Sequence, residues 1–130
     1  MALVKARPRA RSGAPVALAL VLAAGAAGCG SKPTRGARDG VLRVALDEYR
    51  LVPQRVSARA GPVTFSTSNR GVLAHNLRLV KQERRWGGVG THKPGRAGRV
   101  TLRLEPGNYR MLCSVGQHEE LGMFGSLAVR

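Results

Sequence analysis

Beyond residue 40, apolar and polar residues alternate along most of the chain, and this period of two is the pattern of strands with one buried face. Turn-forming Gly, Pro and Asn residues stand between the alternating segments, and none of these segments has the 3.6-residue period of a long amphipathic helix. The pattern predicts about seven strands, near residues 41–47, 54–59, 62–68, 74–80, 99–104, 108–113 and 124–129. Short strands at this spacing predict an all-β fold, a two-sheet Greek-key β-sandwich.

The first 28 residues are organised like an export signal. Basic residues lie between positions 5 and 11, an apolar run covers 14–28, and Cys29 follows directly. The run is too short for a bilayer span, which needs about 20 helical residues. The small residues before Cys29 resemble the lipobox of bacterial lipoproteins, in which the cysteine is acylated. We therefore predict a lipoprotein signal peptide at 1–28 and a lipidated Cys29. An ordinary secretory signal that leaves Cys29 free is the alternative.

Two further segments lack clear strand periodicity. Residues 29–40 are rich in breakers, which is typical of a flexible tether after the lipidated cysteine, and the folded domain is predicted at 41–130. Residues 81–98 carry several basic residues and glycines, and they are predicted to form a long basic surface loop. Within that loop His92 is interpreted as a solvated histidine. Trp86 either belongs to a partner-binding patch or closes one edge of the core, and the second interpretation is favoured.

The charge of the chain points to its partners. Its 22 Lys and Arg against 7 Asp and Glu give a formal net charge of +15, and removal of residues 1–28 leaves +11. Such a charge predicts acidic docking patches on partner proteins or attraction to anionic lipid headgroups. Nucleic acid also binds basic chains, but export and an aromatic content of only 4% argue against that partner.

The C-terminal third contains an ordered set of soft metal-binding side chains. Tyr109, Met111 and Cys113 alternate along a predicted strand, so the Cys113 sulfur faces the core if the other two side chains do. His118 and then Met123 follow at equal spacing, which completes a Cys-x4-His-x4-Met run.

This run resembles the copper loop of the cupredoxin family of small blue copper proteins. That family needs a further histidine from an upstream strand, and His75, within Ala74-His75-Asn76, stands at a suitable place. The resemblance extends from about Val41 to Val129, and it implies a cupredoxin-like sandwich.

The resemblance also implies one copper ion that cycles between Cu(II) and Cu(I), with His75, Cys113, His118 and Met123 as ligands. One thiolate, two imidazoles and a weak axial thioether are the donors of blue copper electron-transfer sites. His118 would be the electron exit through an apolar patch, and Met123 would be the axial ligand. Asn76 would tie the His75 strand to the Cys113 loop through hydrogen bonds. Taken singly, each residue has a plainer interpretation as core or polar surface.

Missing motifs narrow the function further. The chain has three histidines and only one cysteine beyond Cys29, too few for a second copper centre, and no hydrolase triad or phosphate-binding loop stands out. We therefore predict an electron carrier and no enzyme. It would be a monomer, lipid-anchored to the outer face of the cytoplasmic membrane, with redox proteins such as cytochromes, oxidases or reductases as partners. Two alternatives remain open: a copper delivery or resistance lipoprotein, and a metal-free sandwich that serves as a scaffold or adhesion module.

Overall fold

The computed structural model describes residues 35–130, which form ten β-strands and no helix. The strands are β1 (Arg35–Gly36), β2 (Val41–Asp47), β3 (Arg50–Val52), β4 (Arg55–Ala58), β5 (Gly61–Asn69), β6 (His75–Lys81), β7 (Arg84–His92), β8 (Ala97–Leu104), β9 (Gly107–Leu112) and β10 (Phe124–Val129). Within this part of the chain there is consequently no helix with the length and apolarity that a membrane crossing requires.

The strands pair into two sheets. The larger sheet has the order β1-β4-β10-β9-β6-β7, and the smaller sheet has the order β3-β2-β5-β8. β2 runs parallel to β5, and β4 runs parallel to β10. β9 runs antiparallel to its two neighbours, β6 and β10. The predicted all-β sandwich is confirmed.

The core lies between the sheets and is built from the alternating side chains. Leu42, Val44 and Leu46 of β2 are buried together with Leu77 and Leu79 of β6 in one hydrophobic cluster. Full burial of a side chain of this size contributes about 1.5–3 kcal/mol. The alternation read from the sequence is therefore the principal local determinant of both sheets.

All seven predicted strands are present, with ends shifted by small amounts, and three strands were missed. The most important is β7, because it contradicts the predicted surface loop at 81–98. Glycines made this segment resemble a loop, but they allow close packing instead: a Cβ at Gly88 would overlap the backbone carbonyl of Leu77 on β6. The β6–β7 pairing also carries two irregularities of register, which is typical of β-bulges.

The same correction applies to the side chains of β7. His92 ends this strand, is half-buried, and lies with its Nε2 3.0 Å from Thr67 Oγ1, so the solvated-loop interpretation is wrong. Trp86 packs against the core, with its ring centroid 5.6 Å from that of Tyr109. Its indole N–H donates to the Arg103 carbonyl oxygen at 3.3 Å. Trp86 therefore closes an edge of the core.

Ordered pairing begins before the predicted domain boundary at residue 41. β1 pairs in parallel with β4, and the Ala37 amide donates to the Ser57 carbonyl oxygen at 2.9 Å. Residues 35–40 are therefore attached to the sandwich, where the sequence predicted a free tether. The predicted signal peptide at 1–28, the lipidation site Cys29 and the first part of the tether lie outside the described residues, and they stay predictions.

Candidate metal centre

The candidate ligands meet at one end of the larger sheet because of strand direction. β9 runs antiparallel to both β6 and β10, so its last residues lie beside the first residues of those two strands. His75 begins β6, Cys113 directly follows β9, and Met123 directly precedes β10. His118 belongs to the loop between β9 and β10. Three strand ends and one loop thus bring the four predicted residues to the same region.

Three nitrogen and sulfur donors converge there. His75 Nδ1 lies 3.1 Å from His118 Nδ1, and Cys113 Sγ lies 4.0 Å and 3.6 Å from these two nitrogens. All three residues are buried, and their donor atoms lie within 4.8 Å of one another. In the described part of the chain Cys113 is a free cysteine.

These separations fit a single metal ion. Zinc forms bonds of about 2.0–2.1 Å to nitrogen and about 2.3 Å to sulfur, and a trigonal arrangement of such bonds places the nitrogens about 3.5 Å apart and nitrogen and sulfur about 3.8 Å apart. The observed separations differ from these values by about 0.4 Å or less. One thiolate and two imidazoles are the trigonal donor set of blue copper sites, and the Irving–Williams order places copper above zinc at such donors.

Met123 is placed beside the other candidate ligands by its backbone. Its amide donates to the His118 carbonyl oxygen at 2.9 Å, and its carbonyl oxygen accepts from the Cys113 amide at 3.0 Å. Its side chain is fully buried. Its role as axial ligand stays a prediction.

The loop between β9 and β10 is braced by its own backbone. The His118 amide donates to the Val115 carbonyl oxygen at 3.1 Å, and the Leu121 amide donates to that of Gln117 at 3.1 Å. Gly116 and Gly122 take φ values of 50° and 112°, which non-glycine residues rarely adopt. Hydrogen bonds and glycine turns therefore hold the loop that carries His118.

Asn76 forms hydrogen bonds to the segment that follows β9. Its Oδ1 accepts from the Ser114 amide at 2.8 Å, and its Nδ2 donates to Ser114 Oγ at 3.1 Å. Its own backbone amide points at Cys113 Sγ across 3.5 Å. This side chain therefore ties the start of β6 to the segment after β9, and its amide donates a hydrogen bond to the candidate thiolate.

Glu48 contacts the candidate ligand His75, and the sequence analysis missed this residue. It lies in the hairpin between β2 and β3, and its Oε1 accepts from His75 Nε2 at 2.8 Å. A hydrogen bond from the Leu73 amide is the largest cause that lowers the pKa of Glu48 from 4.5 to about 2, although desolvation opposes it. No motif marks Glu48, because 27 residues separate it from His75.

His118 is buried beside Tyr49, which lies in the hairpin between β2 and β3. The Tyr49 ring packs edge-on against its imidazole, with centroids 4.9 Å apart. Desolvation, and then the neighbouring His75, lower the pKa of His118, which favours the neutral imidazole that binds metals. The loop before β6 and the loop between β9 and β10 expose apolar side chains, with Val72 81% exposed and Leu121 57% exposed. The two segments next to the candidate ligands therefore present partly apolar surfaces.

The two-sheet sandwich of residues 35–130 is a cupredoxin-like fold, and solved auracyanins share this fold. Reduced auracyanin from the photosynthetic bacterium Roseiflexus castenholzii matches with a TM-score of 0.65 and 17% identity, over 72% of this chain and 99% of its own. Auracyanin A, a "blue" copper protein from Chloroflexus aurantiacus, matches with a TM-score of 0.62 and 17% identity, over 69% and 98% of the two chains.

Auracyanin B matches with a TM-score of 0.64 and 19% identity, over 77% of this chain and 92% of its own. No protein-family model matches the chain, and no curated protein matches it by sequence. The likeness therefore shows the cupredoxin fold, which the sequence had predicted.

Proposed function

We propose that this chain is a type 1 copper protein that carries single electrons between redox partners. The observation that carries the proposal is the buried cluster of His75 Nδ1, Cys113 Sγ and His118 Nδ1, whose separations fit one metal ion. Met123 is proposed as the weak axial ligand. The auracyanin described as a "blue" copper protein has the same fold, which supports a copper site of this class.

Bound copper would supply the Cu(II)/Cu(I) couple, and the protein would supply a cage that suits both states. Soft thiolate sulfur favours Cu(I), while imidazole nitrogen accepts either state. Paired strands hold His75 and Cys113, and Asn76 joins the two segments. Because the donors cannot move far, electron gain or loss would require little rearrangement of the ligands.

Electrons would enter and leave through the His118 side of the centre. Residue His118 is 9% exposed, and apolar residues are exposed on the loop before β6 (Val72 and Leu73) and on the loop between β9 and β10 (Leu121). An apolar surface is easily desolvated when a partner docks, which shortens the distance between redox groups. The chain's formal charge of +15, or +11 without residues 1–28, supports partners with acidic patches around that contact.

Membrane attachment is part of the same proposal. The basic and apolar N-terminal segment and the small residues before Cys29 support export and lipid anchoring to the outer face of the cytoplasmic membrane. An anchored carrier would meet membrane-bound donors and acceptors by diffusion in two dimensions.

The proposal is tested by titrating the full chain, purified in detergent, with Cu(II) beside a Cys113→Ser variant. We expect an intense blue thiolate-to-copper band that saturates at one copper per chain, bleaches reversibly on reduction and is missing from the variant. A colourless or weakly coloured wild-type complex would show that the cluster is no type 1 site.

Retention of copper separates an electron carrier from a delivery protein. A carrier should keep its copper through repeated oxidation and reduction in the presence of an apo copper-binding acceptor. Transfer of the ion to that acceptor within a few cycles would favour delivery or resistance. An absence of stoichiometric copper binding would favour the metal-free scaffold.

A further inference from the structure

We propose that Glu48 is a positioning residue that orients the imidazole of His75 and lowers the reduction potential of the copper centre. The inference rests on the proposed copper function and deepens it. It concerns a residue from the smaller sheet, whereas His75, Cys113 and Met123 lie at the ends of strands in the larger sheet.

Three hydrogen-bond donors converge on one carboxylate oxygen. Glu48 Oε1 accepts from His75 Nε2 at 2.8 Å, from the Val72 amide at 2.9 Å and from the Leu73 amide at 2.8 Å. The His75 side chain is fully buried, and the Glu48 side chain is 25% exposed. The carboxylate thus holds both the imidazole and the segment that leads into β6.

Gly71 leaves room for this arrangement. A Cβ at this position would overlap the carboxylate of Glu48. The absence of a side chain at residue 71 therefore allows the carboxylate to reach the two amides that follow it. The site therefore consists of the Glu48 carboxylate, the space left by Gly71, and the amides of Val72 and Leu73.

The hydrogen bond decides which nitrogen of His75 can bind metal. An ionised carboxylate only accepts hydrogen bonds, so Nε2 must carry the proton of the neutral imidazole. Nδ1 then keeps its lone pair, and this is the atom that faces Cys113 and His118. A carboxylate on the outer nitrogen also makes the imidazole a stronger donor.

The charge of Glu48 should favour Cu(II) over Cu(I). A nearby negative charge stabilises the more positive ion, and the imidazole of His75, which separates this carboxylate from the metal position, is fully buried. Among the described residues, His75 is the only group within ion-pair distance of Glu48, so no lysine or arginine neutralises the carboxylate there. The proposal therefore predicts a lower potential than the same cage would have with a neutral acceptor.

Replacement of Glu48 by glutamine separates charge from geometry. The amide oxygen of Glu48→Gln can accept the same three hydrogen bonds, so the variant removes the charge and retains the orienting contact. Asp47→Asn is the matched control, because it removes one negative charge from the neighbouring residue, whose carboxylate forms its ion pair with Arg70, at 3.5 Å. Glu48→Ala removes both the charge and the contact.

The experiment measures copper-loaded full chains in detergent, equilibrated with a redox mediator of fixed composition. In Glu48→Gln we expect a blue band like that of the wild type and a Cu(I):Cu(II) ratio raised at least tenfold, which corresponds to about 59 mV for one electron. The Cu(II) affinity should fall by about 10- to 100-fold. Asp47→Asn should stay within about twofold of the wild-type ratio.

A second readout needs no copper. In the apo-protein, nitrogen-15 NMR of the His75 ring should show the Nε2–H tautomer in the wild type and in Glu48→Gln, and a mixture of tautomers in Glu48→Ala.

If Glu48→Gln does not fold, the reduction potential of Gly71→Ala tests the proposal instead. The methyl group of this variant displaces the carboxylate and should raise the potential in the same direction.

The outcomes distinguish this inference from the proposed function. A wild-type chain that forms no blue site overturns the proposed function and this inference with it. A blue wild type whose Glu48→Gln variant matches Asp47→Asn in potential overturns the role of Glu48 alone. A shifted potential with an unchanged His75 tautomer in Glu48→Ala would overturn the positioning role and leave only the effect of charge.

Discussion

Both candidate histidine ligands present Nδ1 toward Cys113, and a different neighbour holds each ring in that orientation. Glu48 bonds the outer nitrogen of His75, while the Tyr49 ring packs against His118. These two neighbours are consecutive residues of the hairpin between β2 and β3. One turn of the smaller sheet therefore supports both imidazoles.

Acid should destabilise the apo-protein through Glu48. Its pKa is lowered from 4.5 to about 2, so its contribution to stability is complete above about pH 4.5 and is lost as the pH falls toward 2. Thermal unfolding of the apo-protein between pH 2 and 5 should therefore show a steeper loss of Tm in the wild type than in Glu48→Gln. Parallel curves for the two proteins would contradict this assignment.

Asn76→Ala should loosen the connection between β6 and the segment after β9. The change removes the 2.8 Å hydrogen bond between the Ser114 amide and Asn76 Oδ1, and the net loss of one such bond costs about 0.5–1.5 kcal/mol. Urea unfolding of the apo-protein measures the loss. Asn108→Ala, at an exposed position of β9, is the control and should change the free energy of unfolding by less than about 0.5 kcal/mol. Equal changes in the free energy of unfolding of both variants would show that the Asn76 hydrogen bonds do not stabilise the protein.

At the scale of strands, the glycines of β7 allow its backbone to pack closely against β6, although glycines are more typical of loops. Gly87 and Gly88 have φ values of 153° and 154°, and the β6–β7 pairing changes register beside them. A bulged strand of this kind brings its backbone close to its neighbour. The position of β7 next to β6 matters for the centre because β6 begins with His75.

Alanine substitutions within β7 test this packing. Gly88→Ala would place a methyl group against the Leu77 carbonyl, and the resulting strain should cost about 1–3 kcal/mol. Gly90→Ala meets no atom within 4 Å, so we expect a change within about 0.5 kcal/mol. Chemical unfolding of both variants measures the difference, and a Gly88→Ala protein as stable as Gly90→Ala would refute the close approach.

For the molecule as a whole, the excess of positive charge should control which redox partners react quickly. Opposite charges accelerate encounter, and salt screens this effect over a Debye length of about 8 Å at physiological ionic strength. The copper-loaded protein should therefore react faster with a small anionic redox reagent than with a cationic reagent of similar potential. Stopped-flow rates should converge as salt is raised. Equal rates for the two reagents at low salt would show that the positive charge does not affect encounter at the electron-transfer surface.

Much of this fold could be predicted because its pattern is local. Alternation along β2, β5 and β8 depends on residues two positions apart, and it placed those strands correctly. Short strands were harder, since β1 and β3 contain too few residues to show a period. The sequence analysis assigned β7 to a loop, because its glycines are explained only by the close packing of β7 against β6.

By itself the sequence determined the sandwich, because strand periodicity is a property of neighbouring residues along one chain. The candidate ligands came from the resemblance of the Cys113, His118 and Met123 run to the cupredoxin copper loop. Only the tertiary structure decided that Glu48 contacts His75, since that contact joins a hairpin of one sheet to the first residue of a strand in the other. Hydrogen bonds between distant segments form when the two sheets pack together, and no local pattern encodes them.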